Sequence, residues 1–301
     1  MLRRIDAVVL LDKPAGLSSN AALQEAKRLY GAAKAGHAGT LDPLASGLLP
    51  LVFGEATKFA QFALAADKEY EARVTLGIAT ATGDAEGEIV RRSPVRVGER
   101  RLERALARFR GEIEQVPPMF AALKRGGRPL YALAREGRTV ERSPRRLTVH
   151  RLELLSRSGD SIELRIRCSK GTYVRQLAHD LGVELDTGAH LAALRRTAVG
   201  DFRIEQAAPL AQLRALDAAG RAARLLAVDC LLAALPRLEL APALARSFLE
   251  GRALRLDEPR RGRCRVYLER GALLGVGELH GAGELRPVRL VARASGRGAS
   301  G

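Results

Sequence analysis

Gly36-His37-Ala38-Gly39-Thr40-Leu41-Asp42-Pro43-Leu44-Ala45-Ser46-Gly47-Leu48-Leu49-Pro50 is the most informative stretch of this 301-residue chain. Three glycines and two prolines in fifteen residues demand a tight, shaped loop, and the apolar residues between them would pin it to a core. One carboxylate sits on it, Asp42, between Leu41 and Pro43. The only other acids from Ala7 to Gly54 are Asp12 and Glu25, and neither lies on the loop. Two readings of Asp42 stand side by side. An Asp before a proline commonly caps a turn. A single carboxylate on a constrained, partly apolar loop also has the setting of a nucleophile.

Outward from this loop the pattern is mixed α and β. Tyr70-Glu71-Ala72-Arg73-Val74-Thr75-Leu76-Gly77-Ile78 alternates and predicts a strand, as does Ser161-Ile162-Glu163-Leu164-Arg165-Ile166-Arg167. Leu102, Ala105, Leu106 and Phe109 fall at helical spacing. A second helix is expected from near Thr172 to Gly182, with Val174, Leu177, Ala178 and Leu181 as its apolar stripe and Gly182 as its stop. Strands in runs joined by helices, without a strict βαβ rhythm, give an α+β class. Near Leu235-Pro236 the texture changes. A short helix is expected over about 242–249, its proline in the first turn. Brief strand-like pieces follow at 264–268, 273–277 and 288–291, separated by glycines as in a small barrel. The reading divides the chain into 1–235, 236–293 and a disordered tail, 294–301.

The net charge of +16 is unevenly placed. Residues 91–151 carry +11 and residues 251–301 carry +6, so the rest is close to neutral. Clustered positive charge attracts a polyanion and releases its counterions, which points to nucleic acid. Arg outnumbers Lys 43 to 7, so a compositional bias is the competing explanation. No apolar run approaches a membrane span. The start has no long apolar stretch of a signal peptide, and a cytoplasmic protein is expected. Cys168, Cys230 and Cys264 are far apart, with no metal-binding or disulfide spacing, and read as buried thiols. No phosphate-binding glycine loop or metal-ligand cluster is present, so no cofactor and no metal are expected.

Further motifs carry a resemblance. Asp12-Lys13-Pro14-Ala15-Gly16-Leu17-Ser18-Ser19 precedes the Asp42 loop and Lys68-Glu69-Tyr70 follows it. Then come Gln115-Val116-Pro117-Pro118-Met119-Phe120-Ala121-Ala122-Leu123-Lys124 with Tyr131 and Ala134-Arg135, Cys168-Ser169-Lys170-Gly171-Thr172-Tyr173-Val174-Arg175, and Leu194-Arg195-Arg196-Thr197. In this order, over residues 12 to 197, the sequence resembles the bacterial tRNA pseudouridine-55 synthase family. The glycine-rich end resembles that family's PUA-like RNA-binding domain. Departures are modest: Ala121-Ala122 stand where Ser-Ala is frequent, and Ser18 and Ser46 where Thr is common.

The resemblance implies an α+β, mixed-sheet catalytic domain with a small C-terminal PUA-like β-barrel. It implies isomerisation of a uridine in the T-arm loop of tRNA, by base flipping and by breaking and rejoining the glycosidic link. Asp42 matches the nucleophile and Arg175 the arginine paired with it. Tyr70 matches the tyrosine that stacks on the flipped base, Tyr173 a second substrate-contacting tyrosine, and Leu194 an apolar wall beneath the base. His37 matches a histidine that occupies the vacated space. Lys13 would contact phosphate or brace the Asp42 loop. Read without the resemblance, Arg175 is a helical surface arginine, Tyr70 and Leu194 are core residues, and His37 is a loop histidine. The implied partner is tRNA, with a monomer, no obligate protein partner and no membrane. A non-catalytic tRNA-binding or folding protein is the rival reading. It has no need of the acid and arginine at 42 and 175. A synthase directed by a separate guide RNA is the other rival.

Overall fold

The computed structural model describes residues 2–119, 124–138 and 140–292. The tail expected at 294–301 lies outside these, as do residues 120–123 of the Pro-Pro segment. In chain order the elements that build the site are β1 (Ala7–Lys13), α1 (Ser19–Tyr30), β2 (Ala35–His37), β3 (Ser46–Phe53), β4 (Lys68–Leu76), α2 (Glu99–Ala107) and β5 (Gly111–Gln115). They continue with β6 (Arg145–Ser158), β7 (Ser161–Cys168), α3 (Val174–Glu184), β8 (Ala189–Val199), β9 (Phe202–Arg203) and β10 (Ala208–Pro209). These strands form one sheet in the order β10-β1-β3-β8-β4-β7-β6-β5, with β2 also on β3 and β9 also on β8. β1 runs antiparallel to β3, β3 parallel to β8, and β8 antiparallel to β4. The class is α+β with a mixed sheet.

The centre of the sheet is covered on both faces. Along β1, Val9 and Leu11 join the main core while Val8 and Leu10 join a second cluster. Along β3, Leu49, Leu51 and Phe53 go one way and Leu48 and Val52 the other. Alternate side chains of a strand point to opposite faces, so unbroken apolar runs are what a doubly covered strand needs. α1 lies against one face through Ala22, Leu23, Ala26 and Tyr30. It is capped by Ser18, which accepts from Ala21 N–H, and stopped by Gly31 at φ 64°.

Two glycines shift the expected boundaries. β4 ends at Leu76 rather than Ile78, because Gly77 has φ +81° and a Cβ there would lie 2.8 Å from the Ser93 carbonyl oxygen. Residues Ile78–Thr80 leave the sheet and pair with Ile89–Arg92 in a separate hairpin. α3 buries its expected stripe but runs past Gly182 to Glu184. A Cβ at Gly182 would meet the Ala189 nitrogen at 2.2 Å, so this glycine serves the close approach of β8 and is not a stop. The helix expected around residue 102 is α2, and Phe109 falls just beyond its end.

Beyond residue 236 lie β11 (Arg237–Leu240), α4 (Pro242–Leu249), β12 (Leu254–Arg255), β13 (Gly262–Leu268), β14 (Leu273–Leu279) and β15 (Glu284–Leu290). They form a second sheet, β11-β13-β14-β15-β12, curled as a half-barrel that fits a PUA-like domain. Leu238, Phe248, Cys264, Val266 and Leu285 make its small core. Val276 packs into the outer cluster of the large sheet, Tyr267 donates its hydroxyl to Asp229 at 2.7 Å, and Lys58 Nζ donates to the Leu290 carbonyl at 3.1 Å. The three cysteines are unpaired, and burial pushes the thiols of Cys168 and Cys264 up to about 11. No helix among the described residues is long and apolar enough to cross a membrane.

Candidate active site

The loop between β2 and β3 is fastened from three sides. Ser19, buried at the start of α1, accepts from Leu41 N–H at 2.8 Å and donates to the Leu41 carbonyl at 2.9 Å. Gly16 N–H donates to the Pro43 carbonyl at 2.8 Å. Gly39 and Gly47, at φ +108° and +104°, press against Arg196, and a Cβ at Gly47 would sit 2.3 Å from the Arg196 carbonyl oxygen. Leu41 and Ala45 point inward. Asp42 is left at the wall of a cavity of about 320 Å³, its side chain 47% exposed.

Arg175 comes from the opposite wall, in the first turn of α3. Its Nη2 meets Asp42 Oδ2 at 2.7 Å, and its Nη1 meets Asp84 Oδ2 at 3.1 Å. The arginine side chain is only 7% exposed and that of Asp84 5%. Asp84 is held in turn by the Thr82 hydroxyl at 2.5 Å and by Glu86 N–H at 3.2 Å. A cation at a helix N-terminus is mildly unfavourable, and two carboxylates offset that cost here. The arginine does not bring the Asp42 carboxyl down to its ordinary value. Burial, helped by the charge of Asp84, pushes the Asp42 carboxyl above its ordinary value, while Arg175 and Lys13 pull it back.

Tyr70 of β4 and Tyr173 before α3 line the same cavity, with Leu191 and Leu194 from β8. Burial raises the Tyr70 hydroxyl, and Arg196, hydrogen-bonded to it, opposes the rise. Arg196 itself is fully buried, donating to the Leu48 carbonyl at 2.7 Å and the Gly39 carbonyl at 3.1 Å. Gln115, at the end of β5, holds both backbone groups of Tyr173. It donates to the carbonyl at 3.1 Å and accepts from the N–H at 2.8 Å.

The structure therefore brings together Asp42, Arg175, Tyr70, Tyr173 and Leu194. Two expected site residues stand apart. Lys13 is wholly buried, and its Nζ donates to the Pro14 and Leu17 carbonyls at 2.8 and 2.6 Å, so it cannot reach a phosphate as it stands. It braces the turn that carries Gly16, the partner of the Asp42 loop. Burial and Arg196 lower its ammonium to about 8. His37 lies on β2 outside the cavity lining, half-buried, its Nδ1 without a hydrogen-bond partner. Sequence reading missed Asp84, Ser19, Gln115 as a clamp and Arg196 as a strut. Thr82-Gly83-Asp84 has the composition of an ordinary turn, and nothing in it announces an arginine 91 residues later.

Comparison with known proteins bears on this arrangement. Residues 27–174 match the N-terminal domain of TruB family pseudouridylate synthases. Residues 175–235 match the tRNA pseudouridylate synthase B C-terminal domain, and residues 236–291 match the C-terminal model of pseudouridine synthase II TruB. The tRNA pseudouridine synthase B of Azoarcus sp. (strain BH72) is 56% identical over 295 residues, covering 98% of either chain. The chain belongs to the TruB family of pseudouridylate synthases. The tRNA pseudouridine synthase B of Dechloromonas aromatica (strain RCB) is 53% identical over 96% of both chains. Among solved structures, one of a Cbf5-Nop10-Gar1 complex matches with a TM-score of 0.72 at 26% identity, covering 95% of this chain and 84% of that one. An archaeal box H/ACA sRNP Nop10-Cbf5 complex matches at 0.71 and 23% identity, covering 94% and 85%, a likeness of fold alone. This TruB-family chain is thus an enzyme, a uridine isomerase rather than a bare RNA-binding module.

Proposed function

We propose that the chain isomerises the uridine at position 55, in the T-arm loop of tRNA, to pseudouridine, with Asp42 as the catalytic carboxylate. The observation that carries the reading is the Asp84–Arg175–Asp42 array at the wall of a cavity that also holds Tyr70. The reaction breaks the bond from C1′ of the ribose to N1 of uracil, turns the base, and joins C1′ to C5. The C5 proton then leaves and N1 gains one, so atoms and electrons balance without redox chemistry. A base in a folded loop must be extruded first.

Each residue has a part in that sequence. Asp42 meets the ribose, either by attack on C1′ or by taking the 2′ proton, and both need the ionised carboxylate that Arg175 and Lys13 favour. Tyr70 stacks on the loosened uracil, an interaction of about 1–3 kcal/mol per base. In this reading its hydroxyl faces the C5 proton as that proton departs. Leu194 and Tyr173 wall the base in, and Arg175 aims the carboxylate. His37, unpartnered at Nδ1, takes up space near the stack once the base has left. The two basic segments grip the RNA backbone.

The same reading divides the chain at about residue 235, with 236–293 as an RNA-binding module. It takes the protein as a monomer in the cytoplasm that needs no protein partner or guide. The decisive experiment incubates the purified protein alone with an unmodified tRNA transcript and maps pseudouridine at single-nucleotide resolution. Product at position 55 is expected with the wild type and none with Asp42→Asn. No product from the protein alone, or equal product from the variant, would overturn the proposal.

A further inference from the structure

Two features of the cavity have no part in the chemistry above. Leu64 lines its mouth yet is 44% exposed. Lys68 also lines it and is only 8% exposed. The two are connected. Lys68 Nζ donates to the carbonyls of Ala63 at 3.2 Å, Leu64 at 2.7 Å and Ala66 at 2.6 Å. An ammonium has three protons, and all three are used here.

These carbonyls are the open end of the Ala60–Ala65 helix. Six residues are too few to hold a helix by its own hydrogen bonds. The residue that follows, Ala66, is extended at φ −67° and ψ 157°, so the helix has no left-handed glycine stop. The Lys68 ammonium takes that place, as a cation at a helix C-terminus does favourably. Ala63 anchors the inner side of the helix in the outer core cluster, which leaves Leu64 facing out at the cavity mouth. Lys68 and Tyr70 are two residues apart on β4 and share its buried face. One strand face thus sets both the tyrosine inside the cavity and the leucine at its entrance.

We propose that Leu64 is an apolar contact for the unpaired nucleoside entering the cavity, and that Lys68 is the positioning residue that holds it there. This rests on the proposed function, since it assumes that the cavity takes a flipped nucleoside. A solvent-exposed leucine gains by covering the face of a base or the carbons of a ribose, and it gains only if its backbone is already fixed.

The test is single-turnover pseudouridine formation on an unmodified tRNA transcript, over a range of enzyme concentrations in excess of RNA. It yields a half-saturating concentration and a saturating rate. Leu64→Ala is expected to raise the half-saturating concentration by roughly 3- to 10-fold, with the saturating rate within about 2-fold and the melting temperature unchanged. Lys68→Met is expected to raise it at least as far. The double variant should be no worse than Lys68→Met alone, because the lysine acts through the leucine. Lys68→Arg, which keeps the charge and donors, should fall between wild type and Lys68→Met. A wild-type half-saturating concentration in Leu64→Ala, or fully additive losses in the double variant, would overturn the proposal. Should Lys68→Met not fold, Leu64→Ala and Lys68→Arg decide it on the same criterion. If the wild type itself forms no product, the proposed function falls, and that outcome is distinct from an active wild type matched by Leu64→Ala.

Discussion

The charges of the catalytic cavity and those of the C-terminal sheet are organised in opposite ways. Around the cavity, partners are far apart in sequence, and Arg175 and Asp84 are almost wholly withdrawn from water. Arg175 reaches back 133 residues to Asp42, and outside the cavity lining Arg195 reaches back 183 to grip Asp12 through both terminal guanidinium nitrogens. Beyond residue 236, four exposed arginines pair with the acid two positions away: Arg237 with Glu239, Arg252 with Glu250, Arg260 with Glu258, Arg286 with Glu284. Exposed local pairs contribute little to stability. Buried long-range pairs fix geometry, and removing one partner is expensive. The first arrangement holds a carboxylate still. The second keeps guanidiniums on the surface, where a phosphate can compete for them.

The sharpest way to break this contrast is Asp42→Asn. Turnover should fall below detection, at least about a thousandfold, while tRNA affinity stays within about threefold. Its stability effect should be small and of a definite sign. The folded protein raises the Asp42 carboxyl above its ordinary value, so ionised Asp42 disfavours folding at neutral pH relative to a neutral side chain. That contribution favours folding only at acid pH and is lost as pH rises through the folded-state value. The variant should therefore melt at or above the wild-type temperature at pH 7, and the difference should vanish below about pH 4. A clear drop at pH 7 would mean that Asp42 is part of the scaffold.

Arg175→Met comes next. Turnover should drop by about two to four orders of magnitude. Here stability should suffer, because Asp84 loses its ion pair in a nearly buried setting, at a cost of about 3–5 kcal/mol. Adding Asp84→Asn should restore much of the melting temperature and none of the turnover. Arg175→Lys should recover only part of the rate, because one ammonium cannot serve two carboxylates with the fixed fork of a guanidinium. Equal melting temperatures for wild type and Arg175→Met would show that the buried pair is not what holds this wall.

The C-terminal side of the contrast predicts the reverse pattern. Arg252→Ala and Arg286→Ala should each change stability by no more than about 0.5 kcal/mol and leave the saturating rate as it is. Each should weaken tRNA binding a few-fold and flatten the salt dependence of log K by about 0.7–0.9 for every phosphate that is no longer neutralised. An unchanged slope in the double variant would mean that this face does not meet RNA.

An effect confined to alkaline pH belongs to Lys68, whose ammonium burial lowers to about 8. Between pH 8 and about 10.5 the unfolded chain binds a proton there that the folded chain has released, so this residue makes stability rise with pH. Arg196, Cys168, Asp67 and Lys170 surround it and share in setting that value. Melting curves of Lys68→Met should rise less steeply over this window than those of the wild type. Parallel curves would show that Lys68 does not titrate there.

Much of this was legible from residue types and order. The Asp42 loop announces itself because glycine at positive φ and proline leave few other conformations. The alternation of β4 and the stripe of α3 follow from one-sided burial. The boundaries that went astray did so where glycine answers to a neighbouring strand rather than to its own helix, as at Gly182 and Gly77. Asp84 was invisible for a different reason. Its partner is set by how the 78–92 hairpin folds over α3, and no local pattern encodes that. For Lys13 the sequence left two readings open, a phosphate contact or a brace for the Asp42 loop, and only the fold shows its Nζ donating to the Pro14 and Leu17 carbonyls. His37 was placed by its motif alone and stands outside the cavity lining.

Arg196 carries a consequence for the life of the chain before it is complete. Protein synthesis delivers the Asp42 loop early, yet the strut it leans on, and the β8 segment beside Ser46 and Gly47, arrive some 150 residues later. With synthesis running at about 5–20 residues per second, the loop waits roughly 7–30 s on the ribosome without its support. Contacts of such high sequence separation form late and together. A nascent or prematurely terminated chain ending before residue 196 would therefore bear the Asp42 loop without its strut, so that the cavity is completed only near the end of translation of the first two thirds of the polypeptide.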